Sequence, residues 1–450
     1  MSEDRISTAL RDATDTEAVE IGPGVLDRVD QVFGQLFGDR QAIVVADDNT
    51  WRVAGAQVHE HLEKAGRNPR MPYRFPENTF VYADYTNIEV LRDSLREHDA
   101  IPIAVGSGSL NDIVKRAAGE LERGYMNVGT AASMDGYTAF GAAITVEGYK
   151  QTLSCPAPKG TVADMDVMST APASMTASGY GDLLGKIPAG ADWIVADELG
   201  VEPIQDSVWK LVQGPLRHAL SRPAELAGGD REALADLADG LIMSGLAMQA
   251  ASSSRPASGA EHQFSHLWEM EGHGHDWQPP LSHGFKVGVG SVAMAAFYER
   301  LPERDLSNLD IDAAVAKWPS WEEVEAAVRA THTTPGLDEA AVKESQAKYI
   351  DEPTLRARLE LLAERWPSIK ERVSKQLLPP GELRDMLKAA GCPTGPADIK
   401  LDKQRFKETY TRAQMIRRRY TALDLANETG LLPELVEELF APGGYWADND

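Results

Sequence analysis

The sequence is short of cysteine, of long apolar runs and of positive charge, and each shortage excludes something. Two cysteines, Cys155 and Cys392, occur in 450 residues. That is too few for a disulfide framework or a thiolate metal site, and it suits a reducing compartment. No stretch approaches the roughly 20 apolar residues of a membrane span. The opening MSEDRISTAL lacks the apolar segment of a signal peptide. Lys and Arg number 45 against 69 Asp and Glu, a net charge of −24. Such a field repels nucleic acid and anionic membrane surfaces, so neither is an expected partner. An anionic ligand would need a locally positive pocket. A cytoplasmic location is expected.

What is present is ordinary globular material, 43% hydrophobic and 25% charged. The length suggests two domains, each able to bury its own core. From about residue 40 short apolar runs alternate with helical spacing. Gln41–Ala46, Thr79–Ala83, Ile101–Val105 and Tyr125–Val128 read as strands, and Trp51–Ala65, Asn87–Glu97 and Leu110–Arg123 as helices. This alternation predicts an α/β domain with a parallel, doubly wound sheet, which takes ligands at the carboxyl ends of its strands. After about residue 173 strand signals fade and long helical stretches follow, such as Gly229–Ser253, Gly284–Leu301 and Glu352–Gln376. The expected division is an α/β dinucleotide-binding domain over 1–172 and an all-α metal- and substrate-binding domain over 173–450.

Gly106-Ser107-Gly108-Ser109 follows the third strand and precedes a helix. Small residues there let a phosphate approach backbone amides and the positive end of the helix dipole. The spacing is not G-x-G-x-x-G, and a tight turn needing glycine for its backbone is the other reading. Asp47 closes the first strand, where an acid can accept from a ribose hydroxyl or simply begin a turn.

His262 and His266 are four residues apart in an apparent helix and share one face. His283 opens another helix, and Asp182 is a lone carboxylate among small and apolar residues in GYGDLLGK. Two imidazoles and a carboxylate suit zinc, nickel or ferrous iron, with coordination positions left open for catalysis. A packed or solvated histidine pair is the competing reading. H-E-x-x-H is absent, which argues against a zincin protease. His273 and His275 read as an exposed loop.

Five segments occur together and in order: GSGSLNDIVK at 106–115, TAASMDGY at 130–137, GYGDLLGK at 179–186, EHQFSHLWEM at 261–270 and PPLSHGFKVGVG at 279–290. In register they resemble the sn-glycerol-1-phosphate dehydrogenase family, part of the iron-containing alcohol dehydrogenase and dehydroquinate synthase-like group. The likeness runs from about residue 40 to 300. It implies an active site in the cleft between the two domains. It also implies that Asp182, His262 and His283 hold one divalent metal (zinc, nickel or iron), and that His266, Asp135 and Asp182 contact substrate. By the same resemblance Gly106, Ser107, Gly108, Ser109 and Leu110 meet the cofactor diphosphate. Thr130, Ala131, Ala132 and Ser133 lie on its nicotinamide side, and Asp47 meets its ribose. Asp182, His262, His266 and His283 form the expected catalytic group.

The expected reaction is metal-dependent reduction of dihydroxyacetone phosphate by NAD(H) or NADP(H), giving sn-glycerol 1-phosphate. Glycerol, another polyol or another sugar phosphate on the same scaffold is the alternative. A homodimer and a place in phospholipid biosynthesis follow from the resemblance alone. Three features depart from it. Ala139 stands where a cofactor-contacting serine is common, with Thr138 beside it; Pro188 and Gly190 follow Lys186; and the stretch from about 330 to 380 is long. Lys150, Lys186 and Lys286 lie in or near the motifs, and no phosphate ligand is assigned among them.

Overall fold

The computed structural model describes residues 2–76, 81–146 and 149–449. They form two compact units, Met1–Leu183 with Lys210–Ser254, and Leu184–Trp209 with Arg255–Asp450. The change from strand to helix falls near residue 172, but the units interleave, since 210–254 joins the first.

In the first unit the strands are β1 (Ala18–Gly22), β2 (Ala42–Ala46), β3 (Tyr73–Arg74), β4 (Ile101–Gly106), β5 (Met126–Gly129), β6 (Ala142–Val146), β7 (Tyr149–Leu153) and β8 (Gly160–Asp164). Six form one sheet in the order β1-β8-β5-β4-β2-β3, with every pairing parallel. The other two, β6 and β7, make an antiparallel hairpin. The central strands are continuous apolar runs because both faces are covered. Successive side chains of β2 go to opposite cores. Ile43 and Val45 pack with Ile88, Leu91 and Leu95 of α1 (Tyr85–Arg96) and Ile113 and Val114 of α2 (Gly108–Glu120). Ala42, Val44 and Ala46 join Val32, Phe33, Val58 and Leu62 on the other side. Each of these valine, isoleucine, leucine and phenylalanine side chains contributes roughly 1.5–3 kcal/mol by leaving water, which a strand at the surface could not gain.

The strand expected at Thr79–Ala83 lies only partly among the described residues. Thr79 and Phe80 lie outside the described residues, and Val81–Ala83 is irregular. The edge of the sheet is instead Tyr73–Arg74, paired with Val45 and Ala46. Pro72 and Pro76 flank it, and proline has no N–H to extend a ladder. Neither β1 (AVEIG) nor β8 (GTVAD) stands out in the sequence, because glycine and an acidic residue shorten the apolar run in each.

The helices that matter below are α3 (Ala173–Leu184) and α5 (Arg231–Ala251) of the first unit, and α4 (Lys186–Glu198), α6 (Ala260–Met270) and α7 (His283–Arg300) of the second. Pro188 is the third residue of α4, where its missing N–H costs no helical bond. His275 is exposed as expected, but His273 is half-buried and lies 2.7 Å from the Ile399 carbonyl through Nε2. Among the described residues no helix is long and apolar enough to cross a membrane.

Candidate functional site

In the first unit the strand order reverses between β2 and β4: β2 is followed by β3 on one side, β4 by β5 on the other. Open parallel sheets take ligands in the crevice beyond the carboxyl ends of two such strands. Asp47 leaves β2 and Gly106 ends β4, so the sheet brings the ribose and diphosphate candidates to this one point. Asp47 also begins a turn, its Oδ1 accepting from Thr50 N at 2.8 Å. Ser107 precedes the 13-residue α2, and its side chain caps none of the first-turn amides at the positive end of the helix dipole. A Cβ on Gly106 would come within 2.5 Å of Leu110 Cδ2, so the turn requires glycine.

The segment 130–141 is held from three helices. In α3, Gly179 lies so close that a Cβ there would be 2.0 Å from the Ala132 carbonyl oxygen. Ser178 Oγ donates to the Ser133 carbonyl at 3.2 Å. One turn on, Asp182 is wholly buried and its Oδ2 accepts from Asp135 N–H at 3.0 Å. From α5, Ser244 Oγ donates to Asp135 Oδ2 at 2.9 Å, and the Gln249 amide donates to the Thr138 carbonyl. Gly245 gives this segment room, since a Cβ there would lie 2.1 Å from Thr138 Oγ1. From α2, the buried Lys115 ammonium donates to the carbonyls of Gly136, Ala139 and Gly141 at 3.0, 2.9 and 2.9 Å. Tyr137 is buried, which pushes its phenol up to about 12, and it donates to the Ala131 carbonyl. Thr138 is not placed to replace a cofactor-contacting serine: it is buried and its hydroxyl donates to the Ile242 carbonyl at 2.8 Å.

In the second unit three imidazoles cluster. The centroid of His262 is 6.0 Å from His266 and 5.4 Å from His283, and His266 is 5.9 Å from His283. Positions 262 and 266 share a face of α6, while Ser282 caps α7 so that His283 is its first residue. A Cβ on Gly290 of α7 would lie 2.6 Å from the Glu261 carbonyl oxygen, so glycine permits the two helices to cross this closely.

Each ring has a different neighbour at Nδ1. His262 Nδ1 lies 2.7 Å from Glu261 Oε1, and His283 Nδ1 lies 2.9 Å from Glu269 Oε1. His266 Nδ1 instead faces Arg417 Nη2 at 3.3 Å. Burial, then the Arg417 charge, holds the His266 imidazole well below its ordinary pKa, so it is neutral at pH 7. The next two arginines are engaged elsewhere, Arg418 with Glu344 at 2.7 Å and Arg419 with the Ser258 carbonyl at 2.9 Å.

Of the lysines near the motifs, Lys186 and Lys286 are buried. Sequence reasoning did not single out Lys115, Ser244, Gln249, Glu261, Glu269 or Arg417. Lys115 alone carried a usable signal: it lies in GSGSLNDIVK at helical spacing from Asn111 and Ala118, and in the structure all three are buried.

The model of the family described as iron-containing alcohol dehydrogenase matches residues 20–172. The chain is 31% identical over 399 residues to a glycerol-1-phosphate dehydrogenase (NAD(P)+) of Bacillus subtilis, covering 88% of this chain and 87% of that one. To the protein of the same name from Geobacillus thermodenitrificans it is 30% identical over 400 residues, covering 87% and 88%. The fold is that of glycerol dehydrogenase from Schizosaccharomyces pombe, with a TM-score of 0.59, 15% identity and coverage of 96% and 93%. Near-full-length likeness at this identity, with the parallel sheet and helical second half, leaves one assignment: the chain belongs to the iron-containing alcohol dehydrogenase family and is a dehydrogenase of its glycerol-1-phosphate dehydrogenase-like group.

Proposed function

We propose that the chain catalyses the reversible reduction of dihydroxyacetone phosphate to sn-glycerol 1-phosphate, dependent on NAD(P)H and one divalent metal. The observation that carries this reading is the imidazole cluster with a cationic side chain against it, in a chain whose net charge is −24. Dihydroxyacetone phosphate, NAD(P)H and a proton give sn-glycerol 1-phosphate and NAD(P)+.

Asp182, His262 and His283 are the proposed metal ligands. The first two are buried and the third half-buried. One carboxylate and two imidazoles suit zinc, nickel or iron and leave coordination positions open. The fit is supported by the residues themselves: one ligand atom from each of the three lies within 4.8 Å of the others, and His262 and His283 each have Nδ1 against a carboxylate. When bound, the metal supplies Lewis acidity towards the substrate C2 oxygen and the nicotinamide supplies hydride.

The chain's own residues do the rest. Neutral His266 accepts from Arg417 through Nδ1, so its N–H is on Nε2 and can donate a hydrogen bond to a substrate oxygen, while the proton taken up in the reduction comes from solvent. Arg417 offers a fork of donors to the phosphate. Asp135, fixed by Ser244, orients a substrate hydroxyl. Gly106–Leu110 hold the diphosphate at the start of α2, Thr130–Ser133 line the nicotinamide side, and Asp47 meets the ribose. The reading is tested by following NADH oxidation with dihydroxyacetone phosphate and, in parallel, with dihydroxyacetone. It expects kcat/KM at least about 100-fold higher for the phosphate, a little under 3 kcal/mol of recognition. Equal rates, or activity on free polyols alone, would replace the substrate and keep the metal site.

A further inference from the structure

We infer that Glu261 and Glu269 are positioning residues that hold His262 and His283 through Nδ1 and so commit both rings to meet the metal through Nε2. The inference rests on the metal reading above and says which imidazoles bind and by which atom. An ionised carboxylate only accepts hydrogen bonds. At 2.7 Å from Glu261 Oε1 and 2.9 Å from Glu269 Oε1, the two Nδ1 atoms are therefore the donors. A neutral imidazole that carries its proton on Nδ1 has its free lone pair on Nε2. The third ring is set the other way. His266 presents Nδ1 to a guanidinium, which has no acceptor, so its lone pair is turned to Arg417 and its proton is on Nε2. The same ring atom meets a carboxylate, a carboxylate and a guanidinium, and this sorts two metal-binding histidines from one that donates.

Each carboxylate is itself fixed. Glu261 is wholly buried, and its Oε1 also accepts from Gly259 N–H at 2.7 Å. Positions 262, 266 and 269 lie on one face of α6, so Glu269 is on the same side as the rings. Ser265 Oγ stands 3.2 Å from His283 Nδ1 and helps to fix that ring. A carboxylate at the remote nitrogen also makes the ring a stronger donor to a metal.

The test is zinc affinity, measured by competition with a chromophoric chelator, for wild type, Glu261→Gln, Glu269→Gln, Glu269→Ala and Arg417→Gln. Circular dichroism would confirm that each variant is folded. Glutamine keeps the shape and removes the charge, so each Gln variant is expected to bind zinc roughly 10-fold more weakly, and Glu269→Ala up to about 100-fold. Arg417→Gln is expected to stay within about 3-fold, well inside that range. In the cobalt-substituted protein two exchangeable, paramagnetically shifted Nδ1–H resonances are expected. Wild-type affinity in all the glutamate variants, or loss in Arg417→Gln alone, overturns the inference and leaves the metal reading standing. A wild-type protein that binds no zinc, cobalt, nickel or iron overturns both.

Discussion

Removing the Lys115 ammonium should loosen the segment that carries Asp135. The side chain is fully buried, donates to three carbonyls at 2.9–3.0 Å, and lies 3.3 Å from Asp112 Oδ1. Lys115→Met keeps the aliphatic stem and deletes the charge. Three carbonyls then lose a cationic donor, and the buried Asp112 carboxylate loses its counter-ion. Burial already pushes the Asp112 carboxyl above its ordinary range, and the Lys115 charge opposes that. Breaking a buried pair by removing one partner costs about 3–5 kcal/mol, out of a total stability of about 5–15 kcal/mol. The expected loss is therefore in that range, read by urea unfolding at pH 7. The double variant Lys115→Met/Asp112→Asn should lose less than the single one, because no carboxylate is stranded. Cofactor and substrate constants should weaken even where the protein stays folded. A loss below about 1 kcal/mol, the scale of one ordinary hydrogen bond, would refute the reasoning, as would equal losses in the single and double variants.

Arg417→Gln should cut kcat/KM for dihydroxyacetone phosphate by roughly 10- to 150-fold, the worth of a charge-assisted bond of about 1.5–3 kcal/mol. Turnover of an uncharged polyol should change little, and equal losses on both substrates would remove Arg417 from phosphate binding. Asp47→Gly should weaken NADH use relative to NADPH, since glycine tolerates the cap position at a cost of only a few tenths of a kcal/mol. An unchanged cofactor ratio would take Asp47 out of the ribose site. His332 is wholly buried, and burial with the Arg412 charge lowers its imidazole to about 4. A depressed histidine stabilises the fold above its unfolded pKa near 6.5, and that stability drains as pH falls towards 4. The drain reaches about 2 kcal/mol by pH 5, so His332→Leu should show a smaller fall in urea midpoint between pH 7 and pH 5 than wild type. Parallel pH profiles would remove His332 from this role.

The central sheet was legible because buried parallel strands are written as apolar runs; AIVVA at 42–46 and IPIAV at 101–105 carry no other reading. The strand predicted at 79–83 shows the limit of that signal. A short apolar run says nothing of its neighbours, and the sheet edge went to Tyr73–Arg74, whose two residues have no periodicity. Histidine identity and spacing marked the second-unit cluster, since His262 and His266 share a helix face. What could not be read was the environment of each ring. Glu261, Glu269 and Arg417 look like ordinary helix and loop charges in sequence; only their distances give them opposite effects on three similar imidazoles. Lys115 was quoted within a motif, yet the three carbonyls it binds come from a loop more than 20 residues away.

The most direct test follows NADH absorbance in the metal-reconstituted protein on addition of dihydroxyacetone phosphate, with and without a chelator, and then assigns the configuration of the product. The account predicts NADH loss that the chelator abolishes and restored metal recovers, with sn-glycerol 1-phosphate as product. Turnover that survives complete metal removal, or a product of the sn-3 configuration, would contradict it.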